Sequence, residues 1–216
     1  GRHRSLWHFS SHEIGFALVV AVISVWAATV ALVVMRQPIV GGDFMVFYTL
    51  GELASHTDWA RQYDWTAFHA LQVSLVPASS EYAYPPSYPP LVPALYAPFA
   101  ILPYGAAFVS WLLVSSGLYA GLLAVAAGVW KQIPRYQIVL ASLIFPPFVA
   151  HQILGQSSIW PLAGFVGGWW ALTRGRPLLA GTILSLVAIK PHLGMALAVV
   201  LLLTRSWRVV SGLAAG

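Results

Sequence analysis

"SLVAIKPHLGMALAVV" occupies residues 185–200, and how it is read decides the topology of the chain. Lys190, Pro191 and His192 stand together in an apolar run that carries no other charge. Placing a lysine at membrane depth costs about 2.5–3.5 kcal/mol on insertion scales, so it calls for a partner or a use. The apolar interval around it, residues 177–204, is long for one crossing and short for two, since about 20 helical residues span ~30 Å of hydrocarbon. It is either one kinked helix or a helical hairpin with Lys190 at its apex. In a hairpin each arm of about 13 residues rises only ~20 Å, which leaves the apex below the membrane surface. Polar, irregular backbone at that depth is tolerated where it lines a cavity or packs against protein.

The surrounding sequence favours the hairpin. Of 216 residues, 59% are hydrophobic and 8% charged, against about 25% charged in soluble domains. Residues 14–35 and 104–130 are apolar runs of spanning length. Basic residues gather in the short breaks: Arg2 and Arg4, Lys131 and Arg135, Arg174 and Arg176, Arg205 and Arg208. If every break is cytoplasmic, as the positive-inside rule favours, an even number of crossings separates neighbouring breaks. The chain then leaves through residues 14–35, returns through 104–130, and keeps residues 36–103 outside. Residues 136–173 form a second hairpin whose apex is "HQILGQSS" at 151–158. The expected architecture is all-α and polytopic, one transmembrane domain over 1–216 with about six membrane segments. A cavity open to the outside is expected between the apices.

Within the outer loop, residues 44–55 and 65–75 are aromatic-rich and read as amphipathic juxtamembrane helices lying in the interface. After them come seven prolines between Pro85 and Pro103, which read as a membrane-dipping connector rather than a crossing. The absence of an initiator methionine and the apolar ending "SGLAAG" suggest a piece of a longer protein.

Certain chemistries are disfavoured. Eleven basic residues scattered along the chain make no nucleic-acid footprint. Cysteine is absent, and no cluster suggests a metal or a cofactor. Neither a DxD pair nor the P-loop, zinc-protease or serine-hydrolase motifs occur. All six carboxylates lie in the first 81 residues. Asp43, in "GGDFMVFY", follows two glycines and precedes a helix, where a carboxylate can cap the helix or act as a functional group. Asp58 and Asp64 read as loop or capping residues beside Arg61. Lys190 reads as an anion binder or as a lysine that snorkels to the interface. His151 and His192 are general bases, donors to an anion, or buried imidazoles; Gln152 and Gln156 offer amides suited to hydroxyl-rich ligands.

Taken in order, "GGDFMVFYTLGELA", "YAYPPSYPPLVPALYAPFAILPYGAAFVSW" and "HQILGQSSIWPLAGFVGGWWALTRGRPLLAGTILSLVAIKPHLG" resemble the polyprenyl-phosphate-dependent membrane mannosyltransferases of glycosyltransferase family 87, within the GT-C superfamily. The resemblance implies an inverting transfer of a sugar, mannose above all, from a polyprenyl-phosphate donor to a glycolipid or glycan hydroxyl. The reaction would take place on the outer face of a bacterial inner membrane. It implies Asp43 as base, Lys190 and His192 at the donor phosphate, and His151, Gln152 and Gln156 on sugar or phosphate. Tyr82, Tyr84 and Tyr88 would face the acceptor, and further helices would follow the KP segment. A rival from another class is a transporter or flippase for a lipid-linked or anionic solute, with Lys190 at a midplane site.

Overall fold

A computed structural model describes residues 41–56, 59–81, 84–86, 88–127 and 145–216, with isolated helical positions at 15, 23, 27, 137, 138, 141 and 142. Apart from positions 15, 23 and 27, the first spanning run lies outside the described residues, as do the basic residues Arg2, Arg4, Lys131 and Arg135 and also Tyr82. Every described element is helical. In chain order they are α1 (Gly42–Ser55), α2 (Trp65–Leu75), α3 (Leu91–Ala100), α4 (Tyr104–Ala127), α5 (Pro146–Leu154), α6 (Ile159–Thr173), α7 (Pro177–Leu184), α8 (Pro191–Leu203) and α9 (Trp207–Ala215). Short 3₁₀ turns at Trp59–Tyr63, Pro77–Glu81 and Ser185–Ile189 join some of them.

α4 is the one described helix both long and apolar enough to cross a bilayer. Its 24 residues rise ~36 Å at 1.5 Å each. Only 17% of its most apolar window is buried within the protein, whereas the core helix of a soluble domain would be mostly covered. Val109, Leu113 and Val114 are among its exposed apolar side chains, a surface suited to lipid.

α1 departs from the expected interfacial helix. Phe44, Met45, Phe47 and Leu50 are completely buried, because α3 lies along one side of α1 and α4 closes another. Its apolar residues surround the axis, and a helix apolar all round belongs in a core. The seam with α3 is tight. A Cβ on Gly51 would sit 2.6 Å from the Tyr96 carbonyl oxygen. Around this seam Phe47 stacks on Tyr96 at 4.7 Å between ring centroids, and Tyr96 meets Trp111 of α4 at 4.9 Å. α2 is covered along one side only, where it buries Phe68 and Gln72. Asp64 caps it by accepting from the Ala67 N–H at 3.1 Å. The proline-rich segment yields only the ten-residue α3, ~15 Å long and too short to cross.

From α6 onward the chain reverses direction at the Arg174–Arg176 break and again at Lys190. Gly164 faces Val187 while Gly168 faces Leu184, so α6 and α7 run antiparallel. Gly212 abuts Leu178 and Gly216 abuts Ser185, so α7 and α9 run parallel. Between two parallel helices the chain must climb to Lys190 and come back down α8. The KPH segment is therefore the apex of a hairpin, and the single kinked helix is excluded. Its sequence makes the break: a residue before proline is pushed to extended backbone, as Lys190 is at φ −109°, ψ 97°. Pro191 is then at home as the first residue of α8. Arms of this length match the short apolar helices expected, but they do not by themselves establish six crossings.

Candidate active site

The N-terminus of α1, the α5–α6 turn and the Lys190 apex meet in one place. Gly41 opens α1 in the left-handed region at φ +66°, which glycine adopts freely, and its carbonyl accepts a bond from the Tyr104 hydroxyl at 3.0 Å. Asp43 follows in the first turn, yet its carboxylate does not cap the helix. Instead Gln156 Nε2 donates to Asp43 Oδ2 at 2.7 Å across 113 residues of sequence. Among the described residues no donor is bonded to the second carboxylate oxygen, Oδ1.

Gln156 is held by the way α5 ends. Gly155, at φ +68°, closes the helix, and its N–H together with that of Gln156 turns back to the His151 carbonyl, a common left-handed helix ending. Gly155 also lies flat against Phe44, the residue after Asp43. Two residues further on, the Ser158 hydroxyl donates to Gln156 Oε1 at 3.3 Å and accepts from Lys190 Nζ at 2.8 Å. Asp43 and Lys190 are thus joined through two neutral side chains rather than by a direct ion pair.

Half-burial pushes the Asp43 carboxyl above its usual range, and the Gln156 bond and the Lys190 charge pull against that rise. Burial and the nearby Asp43 charge in turn push the Tyr88 phenol up. Tyr88 packs on Phe47 at 4.8 Å, and the Tyr84 hydroxyl would be met by a Cβ on Gly42 at 2.9 Å. Both tyrosines therefore border the Asp43 turn.

Three other expected residues make no bond in this chain of contacts. His151 is 4% exposed and sits between the rings of Trp111 and Phe148, at 5.9 and 6.4 Å. Gln152 is buried and accepts from Ser116 at 3.4 Å. His192 is exposed in the first turn of α8 and takes no part in the chain of bonds from Lys190. Ser158 was not anticipated. Its only signal was its place in the quoted "HQILGQSS", a hydroxyl two residues past a glutamine at an expected apex.

Beside Ser158 opens an almost wholly apolar cavity of about 190 Å³ walled by Phe145, Phe148, Tyr119 and Leu162, with His151 and Ser158 also in its lining. Among the described residues no group of three His, Asp or Glu side chains could hold a metal ion. A carboxylate with a spare oxygen suits proton removal from a hydroxyl, and the ammonium joined to it through two neutral side chains suits an anion.

A family comparison gives the class of protein. Residues 87–216, well over half of the chain, match the model of glycosyltransferase family 87. The chain belongs to that family of membrane glycosyltransferases and transfers a sugar from a donor to an acceptor. Neither the curated proteins nor the solved structures contain a match. The matched region includes Gln156, Ser158 and Lys190 and begins after Asp43. No observation favours the transporter reading.

Proposed function

We propose that the chain moves mannose from a polyprenyl-phosphate donor to a hydroxyl of a glycolipid or glycan, with inversion, on the extracytoplasmic face of a bacterial inner membrane. The observation that carries this reading is the Asp43–Gln156–Ser158–Lys190 arrangement beside an apolar cavity. A lipid-linked phosphate needs both halves of it: a cation for the headgroup and an apolar wall for the first part of the tail. The bilayer solvates the remainder.

In the reaction the acceptor oxygen attacks the anomeric carbon as the bond from that carbon to the phosphate oxygen breaks. The hydroxyl proton passes to Asp43, and Oδ1 is the oxygen left for it. General base catalysis of this kind contributes roughly 10²–10⁴-fold. A carboxyl raised above its ordinary range is the stronger base for the task. The donor is a singly charged phosphodiester and the departing polyprenyl phosphate is doubly charged, so negative charge grows where Lys190 stands. Stabilising that charge is the ammonium's role, and it gives the costly lysine its use. His192, one residue past Pro191, is exposed to assist at the phosphate. Tyr84 and Tyr88 border the acceptor side, and His151 and Gln152 support the wall behind the sugar.

Donor identity is the test. Protein in lipid nanodiscs is supplied with labelled mannose either on polyprenyl phosphate or on a nucleoside diphosphate, with a mannosylated glycolipid as acceptor. Label should reach the acceptor from the lipid phosphate alone. Transfer from the nucleotide sugar at an equal rate would overturn the reading.

A further inference from the structure

We propose that Gln156 and Ser158 are positioning residues that form one polarised hydrogen-bond chain from the Lys190 ammonium to the Asp43 carboxylate, so that Gln156 serves the base rather than the sugar. This rests on the function proposed above. The donor and acceptor inventory of the four groups fixes the chain's direction. An ammonium only donates and a carboxylate only accepts. Lys190 Nζ, 2.8 Å from Ser158 Oγ, must therefore donate to it. The single hydroxyl proton of Ser158 is then free to go to Gln156 Oε1 at 3.3 Å. That orients the amide so that its NH₂ faces Asp43 Oδ2 at 2.7 Å. No other arrangement satisfies all three contacts with both end groups charged.

Each dipole in the chain points its positive end at the base, and neighbouring bonds polarise one another. Removing Ser158 therefore weakens the Gln156 bond as well as releasing Lys190. The chain also commits Oδ2, which leaves Oδ1 toward the acceptor. Ser158 accepts from Lys190 until the donor phosphate arrives, so the same hydroxyl borders the headgroup.

The variants are Gln156→Met, which keeps the length and removes the amide; Ser158→Ala, which cuts the chain; and Ser158→Thr, which keeps the hydroxyl. The first readout needs no turnover: carboxyl carbon resonances of labelled aspartate in the intact chain, with the Asp43 signal identified by its loss in Asp43→Asn. The other groups that bear on Asp43 are the Lys190 ammonium, the neutral Tyr88 phenol and the Tyr84 hydroxyl against Gly42; Gln156→Met leaves all three in place, Ser158→Ala frees Lys190 alone, and Ser158→Thr keeps its acceptor. The Asp43 midpoint should move up in Gln156→Met and, by less, in Ser158→Ala, and stay at the wild-type position in Ser158→Thr. With turnover, kcat should fall about 10- to 100-fold in Gln156→Met, the factor a hydrogen bond to a charged group carries. The acidic limb of the kcat/KM profile should move up with it. Ser158→Ala should raise the donor KM, and Ser158→Thr should restore it. A midpoint that moves in neither variant, or in Gln156→Met alone, overturns the chain. The function proposed above is judged separately by donor identity and by Asp43→Asn, so the two can fail independently.

Discussion

Two glycines in the left-handed region allow one substitution to be read against another. Gly155 and Gly175 have almost the same backbone, φ +68° and +67°, but different surroundings. Around Gly175 a Cβ would meet nothing within 4 Å; at Gly155 it would lie 2.5 Å from Phe44 Cβ and 2.9 Å from Phe108 Cε2. Alanine at either position carries the left-handed penalty of roughly 1–2 kcal/mol, and the change in unfolded-chain entropy is common to both. Only Gly155→Ala adds crowding of the core, worth about 1–3 kcal/mol. For a chain of this size 1 kcal/mol moves the melting temperature by about 2–4 °C. Gly175→Ala should therefore melt a few degrees below wild type, and Gly155→Ala about 2–12 °C lower again. Fluorescence of the chain's ten tryptophans in detergent micelles follows both transitions. Activity should separate them further. Phe44 follows Asp43 and Gly155 precedes Gln156, so relieving the overlap pulls the two ends of the Asp43–Gln156 bond apart. A displacement near 1 Å can lower the rate by ~10². If Gly155→Ala melts with Gly175→Ala and transfers sugar like wild type, the packing that places the base is not as described.

Asp43 should lower the stability of the fold it serves. Its carboxyl is raised in the folded state, so the native chain holds that proton more tightly than the unfolded chain, and stability falls as pH rises from about 4 through the folded value. At pH 7 Asp43→Asn should then melt at or above the wild-type temperature; a clearly lower one would contradict the burial argument. Lys190→Met should raise the KM for the lipid-phosphate donor at least tenfold and leave that for the acceptor nearly unchanged, and equal losses for both would remove the phosphate role. Gly181→Ala should lower the melting temperature although alanine is the better helix former by about 1 kcal/mol. Its Cβ would run into the Val209 carbonyl, forcing α7 from α9 at a cost of roughly 1–3 kcal/mol, and a higher melting temperature would refute that close crossing.

The reversals of the chain were legible because their chemistry is local. Pro191 dictates the extended Lys190 before it, Gly155 ends α5, and the apolar arms on either side are too short to cross. The burial of α1 was hidden because aromatic richness reads alike for an interfacial helix and for one enclosed by partners. What encloses it, the Tyr96 backbone lying on Gly51, is a contact between residues far apart in sequence. Asp43 and Lys190 stood out singly as a lone acid beside glycines and a lone cation in apolar sequence. Their link was not visible, since it runs through Gln156 and Ser158, neutral residues whose roles depend on which way an amide faces. The bond from Gln156 to the carboxylate likewise emerges only when the α5–α6 turn is laid against α1.

The most direct measurement is single-turnover transfer of labelled mannose from polyprenyl phosphate by nanodisc-embedded wild type and Asp43→Asn, with donor binding measured on the same samples. The account predicts a rate lower by roughly 10²–10⁴ in Asp43→Asn, or about 3–5 kcal/mol in the barrier, with donor affinity unchanged. Equal rates in the two proteins would contradict it.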